Sequence, residues 1–127
     1  MARPAVKKQM STKNTTLNTV RKIALALSGA EEATAYGSPA FKVRGKMFAC
    51  LPVHKSAEAD SLAVCVDLER RAELLAEAPE SYYVTDHYVD HPIVLVRLSR
   101  ISAGALRDLL SGAHRLMANQ SRRKPAR

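Results

Sequence analysis

Two alternating runs meet at a single glycine in AFKVRGKMFAC, Ala40 to Cys50, and nothing else in the chain restricts the fold as much. Alternation with a period of two belongs to strands. A glycine between two such runs supplies the positive φ that a two-residue hairpin turn needs. The turn falls at Arg44-Gly45 or at Gly45-Lys46, and both choices give the same parity. Phe41, Val43, Phe48 and Cys50 are expected on one face, with Lys42, Arg44, Met47 and Ala49 on the other. A hairpin with one apolar face must be covered by further elements.

The flanking sequence supplies them. Residues 1–14 contain Pro4 and no apolar period, which predicts a basic arm without regular structure. Leu17, Val20, Ala24 and Leu27 recur at steps of three and four, so a helix is expected from Thr15 to Leu27. Asn14 or Thr15 is its expected cap, and Gly29 its stop. EEATAY reads as a strand before the GSP break, and SLAVCVD as another. Asp67 is the expected cap of a second helix, LERRAELLAEA, with Leu68, Ala72 and Leu75 inward and Pro79 beyond its end. ESYYVTDHYVDH is irregular or a short strand. PIVLVRL is apolar on both faces, which predicts a central strand. Ser102 opens a last helix to about Met117, with Leu106, Leu109, Ala113 and Leu116 inward. The order α, three or four β, α, one β, α predicts an α+β fold: two layers, a mostly antiparallel sheet with helices on one side. One domain is expected over 15–118, between an arm at 1–14 and a basic tail at 119–127.

Charge is distributed unevenly. The net charge is +8. Arg3, Lys7, Lys8, Lys13, Arg21 and Lys22 lie in the first 22 residues, and Arg115, Arg122, Arg123, Lys124 and Arg127 in the last 13, with no acid in either segment. The segment 23–114 is left with nine basic and all twelve acidic residues, a net of −3. A cationic surplus of this kind suits a polyanion partner, although basic tails also serve solubility alone. No apolar run approaches the roughly 18 residues of a membrane span, and the first residues lack the apolar stretch of a secretory signal. No membrane association and a cytoplasmic location are the expectation. Cys50 and Cys65 sit in apolar runs at no metal-type spacing, so reduced core residues are expected.

Candidate sites follow from these placements. Lys42, Arg44 and Lys46 cluster at the hairpin tip, where a narrow projecting element can hold phosphates; the plainer reading is a solvated strand end. With Arg122, Arg123 and Lys124 they form the expected nucleic-acid contacts. DHYVDH sets His87 and His91 four apart, a metal-like spacing only on a helix, and Pro92 with Tyr88 and Val89 argues against one. No metal or cofactor is therefore expected. His54 and His114 are expected at the surface. Glu31 and Glu32 would point to opposite faces of a strand, which makes them poor acid–base partners. Tyr36, Tyr82, Tyr83 and Tyr88 are of the type that stacks on bases; ordinary core and rim packing is the simpler reading. No nucleophile motif or phosphate loop occurs, so an enzyme is not expected.

Three separated blocks, VRKIALALSGAEEA, YGSPAFKVRGKMFACL and ESYYVTDHYVDHPIVLVRL, resemble the MmcQ/YjbR family of small bacterial proteins, over about residues 17–117. The resemblance implies a compact domain similar to secretion-chaperone-like proteins. It also implies a DNA-binding role, by analogy with double-wing folds. Family members often carry a Trp before the last strand, where this chain has Pro92-Ile93 and no Trp. The function expected is non-enzymatic, weak and mainly electrostatic DNA binding. The alternative is a chaperone-like protein- or peptide-binding module using the open sheet face or a dimer interface.

Overall fold

A computed structural model describes residues 15–123, with side chains as far as Gln120. The expected arm at 1–14, and residues 124–127 of the expected tail with Lys124 among them, lie outside the described residues; residues 119–123 of that tail are helical instead.

The first helix, α1 (Leu17–Leu25), is capped by Thr16 rather than Asn14 or Thr15. The Thr16 hydroxyl accepts from the Thr19 N–H, and the Thr19 side chain returns the contact to the Thr16 N–H. Thr15 is used elsewhere: it is buried, and its hydroxyl donates to the Ile101 carbonyl at 2.8 Å. Six strands follow in one sheet: β1 (Ala30–Ala35), β2 (Ser38–Val43), β3 (Lys46–Cys50), β4 (Ser61–Cys65), β5 (Tyr82–Tyr83) and β6 (Ile93–Arg97). Their spatial order is β1-β2-β3-β4-β6-β5, and every pairing is antiparallel. β6 has a neighbour on each side, as its doubly apolar pattern predicts. α2 (Leu68–Glu77) connects β4 to β5, and α3 (Ala103–Arg123) closes the chain.

The main core lies between the sheet and the helices. Val20 and Ala24 of α1, Leu74 of α2, and Leu106, Leu110 and Ala113 of α3 meet Phe41, Phe48, Val64 and Val94 there. A smaller cluster of Ala63, Tyr88 and Leu95 lies on the opposite face.

α2 departs from the expected phase. Leu74 is buried while Leu68 is 56% exposed. Arg71 turns inward to donate to the Val89, His91 and Ile93 carbonyls at 2.9–3.1 Å, which sets the rotation of the helix. α3 also continues six residues past the expected Met117 end. Among the described residues no helix is long and apolar enough to cross a membrane.

Candidate functional site

The β2–β3 turn is Arg44-Gly45, flanked by the Val43–Lys46 pair. Both turn residues have positive φ, 53° and 82°, the geometry of the turn type that matches strand twist in two-residue hairpins. A β-bulge then changes the parity. Lys42 pairs with Met47, but Phe41 pairs with Ala49, so Phe48 is the extra residue. The expected faces are corrected beyond that point. Phe48 and Ala49 both enter the main core, and Cys50 packs with the opposite cluster. The bulge exists because two consecutive apolar residues, Phe48 and Ala49, are buried on one side.

The same register separates the hairpin cations. Cross-strand partners share a face. Lys42 therefore stands beside Met47 on the open face, with Glu31 as its partner on β1. Lys46 stands on the Val43 side, and Arg44 is exposed at the apex. Lys42 and Arg44 are expected on one face with Lys46 beside them at the turn; instead Arg44 lies within the turn, and Lys42 and Lys46 flank the apex from opposite sides. Arg122 and Arg123 belong to the last turn of α3, on the helix backbone.

Other cations are occupied within the fold. Arg21 binds Glu32 through both Nε and Nη2, at 2.8 and 3.0 Å. Arg97 binds Glu58 in the same two-pronged way, both at 2.8 Å, and lies 4.4 Å from the Tyr83 ring centre. The hydrogen bonds from these guanidinium groups hold the Glu32 and Glu58 carboxyls below the usual carboxylate range. Residues 15–120 contain twelve basic and twelve acidic residues, so the whole surplus of +8 lies in residues 1–14 and 121–127, with Arg122 and Arg123 on the last turn of α3.

The open face carries a feature that the sequence reading missed. A cleft of about 570 Å³ is lined by Tyr36, Met47, Cys50, His54, His87 and Ile93 among others. The loops 51–60 and 84–92 bring His54 and His87 together as a parallel stack, with ring centres 3.6 Å apart and planes within 8°. His54 is half-buried rather than a free surface residue. Its Nδ1 accepts the Ser56 N–H at 3.0 Å, and the Ser56 hydroxyl bridges to Thr85 at 2.8 Å. Burial first, and then neighbouring His87 and Lys55, lower the His54 pKa, consistent with a neutral ring. His114, also expected at the surface, packs edge-on against Phe48 and donates from Nε2 to the Ser28 carbonyl at 2.6 Å. Two histidines 33 positions apart leave no local signal for such a stack; it depends on where two loops end. Among the described residues no group of three or more His, Cys, Asp or Glu side chains is placed to hold a metal.

Both thiols are held in the neutral form. Burial raises Cys50, and burial together with neighbouring Cys50 pushes Cys65 from 9.0 up to about 11. Cys65 also donates to the Met47 carbonyl at 3.3 Å. A raised thiol pKa stabilises the fold below about 9 and loses that contribution as the pH climbs towards 11. Native protein at pH 8 should therefore leave Cys65 unalkylated until urea exposes it. Rapid labelling without denaturant would show β4 to be open. Cys65→Ala should cost about 1–2 kcal/mol, the range for a small buried truncation.

Comparison with known proteins places this architecture among relatives. The family model described as YjbR matches residues 25–116. Among solved structures the chain is similar to the crystal structure of Deinococcus radiodurans protein DR2400, of the family-model domain DUF419. The two are 25% identical over 91% of this chain and 90% of that one, with a TM-score of 0.71. No curated protein matches the chain.

Proposed function

The chain belongs to the YjbR family, and from that premise we propose that it is a non-enzymatic, cytoplasmic DNA-binding protein, with a weak electrostatic grip that resides chiefly in its cationic ends. The observation that carries this reading is the charge partition. Residues 15–120 carry no net charge and the +8 lies in residues 1–14 and 121–127, which concentrates phosphate-binding charge at the two ends of the chain. The hairpin contributes less, because only Arg44 projects from the apex and Lys42 has Glu31 beside it. A non-enzymatic role agrees with two thiols kept protonated by burial.

The test is fluorescence anisotropy on a duplex over a salt series with the full chain. Six phosphate contacts correspond to roughly a thousand-fold loss of affinity between about 50 and 200 mM salt. Reversing Arg122, Arg123 and Lys124 to Glu should flatten the slope by about 2–3, nearly one unit per lost contact. Reversing Lys42, Arg44 and Lys46 should flatten it less. The absence of binding at low salt would remove the reading. Binding to a protein partner that salt leaves nearly unchanged would favour the alternative, a protein- or peptide-binding module using the apolar open face.

A further inference from the structure

We propose that the open-face cleft is a stacking site for an unpaired nucleobase of single-stranded nucleic acid, with Tyr36 as its outer ring. The inference rests on the nucleic-acid reading above and narrows it to a substrate class and a site. It starts from a residue that has no structural reason to be what it is. Tyr36 and Gly37 form the β1–β2 turn, between Ala35 and its partner Ser38. Their φ values are 54° and 81°. The first position of such a turn favours Asn, Asp or Gly. A bulky residue there is strained, and this one gains no burial in return, since Tyr36 is 91% exposed. A strained residue that stabilises nothing in the fold points to use by something else.

The surroundings define what that is. Tyr36 lines the same cleft as the His54–His87 stack, so two aromatic surfaces border one volume. That volume, about 570 Å³, is in the range that takes a small planar group. Met47, Cys50 and Ile93 give the cleft an apolar lining. It contains no carboxylate and no amine, so a neutral heteroaromatic ring suits it better than an ion. The imidazoles of His54, His87 and His91 supply the polar groups of the lining. Lys42 stands on the same face beside Met47 and supplies a cation for the attached phosphate, with Glu31 next to it limiting the strength of that contact. A base within a duplex is already stacked on its neighbours, whereas an unpaired one is free to enter.

The experiment compares two labelled strands of equal length on the full chain, an oligodeoxyadenylate and the corresponding oligomer of abasic sites. Both carry the same phosphates, so the ends attract them equally. One base stacked on an aromatic side chain should make the adenylate strand about 5- to 150-fold tighter. Tyr36→Asn should erase that difference and leave the abasic affinity unchanged. Asn suits the turn, so this variant should fold at least as well as the parent. Equal affinity of the parent chain for both strands would overturn the base site while leaving the electrostatic reading intact. If neither strand binds, the electrostatic reading falls, and an adenosine titration followed through the imidazole NMR signals of His54 and His87 decides the cleft. Shifts that disappear in Tyr36→Asn would support the site; no shift would overturn it.

Discussion

Phe48→Ala is expected to destabilise the protein by about 3–5 kcal/mol, the range for removing a fully buried aromatic ring. Phe48 is completely buried and is the extra residue of the β3 bulge. Its ring meets His114 edge-on, with centres 5.5 Å apart and planes at 85°. Truncation leaves a void between β3 and α3 and removes the ring that His114 packs against. Phe48→Leu retains apolar volume and loses only the ring contact, about 0.5–1.5 kcal/mol for an aromatic pair, together with some fit. Urea midpoints at unchanged slope provide the measurement. A loss below about 1 kcal/mol for the alanine variant would mean that neighbouring side chains close the space, and that the bulge is not held by its ring.

Arg71→Met should have the next largest effect, and a more local one. The stem of the side chain is retained while three carbonyls, those of Val89, His91 and Ile93, lose their donor. Hydrogen bonds from a charged donor contribute about 1.5–3 kcal/mol each when sheltered. Two of these three are exposed, so a total of about 1.5–3 kcal/mol is the expected loss. The clearer readout is hydrogen exchange. The turn bonds Tyr88 N–H to Thr85 and His91 N–H to Tyr88 lie in the loop that Arg71 braces, and their amides should exchange faster. Arg71→Lys should not restore protection, since one ammonium cannot span three carbonyls as a planar guanidinium does. Unchanged exchange in the Met variant would show that the loop is held by the Tyr88 cluster alone.

The sequence was most legible where one residue type answers to one local requirement. Gly45 marked the hairpin turn, Asp67 the cap of α2, and the doubly apolar PIVLVRL an inner strand; all three stand as read. The failures share a cause, because each was settled by a distant partner. The parity of β3 reversed at Phe48 since Ala49 is also drawn under the helices, and period two cannot announce a bulge. α2 took its rotation from Arg71 reaching carbonyls some twenty residues away. The cap of α1 moved because Thr15 is engaged with Ile101, 86 positions along the chain. The cleft was illegible for the same reason, since its walls come from four separate segments.

The two outer strands of the sheet have a consequence for the protein in concentrated solution. β5 is only two residues long and offers little backbone to a neighbour. β1 is six residues long and leaves one side of its backbone unpaired by the sheet. Charged side chains mark this strand, Glu31 opposite Lys42 and Glu32 in the grip of Arg21, and charge on an outer strand makes it a poor template for a second molecule. Glu31→Val with Glu32→Val replaces that charge by a run of apolar and β-branched residues, and light scattering at high protein concentration is expected to rise.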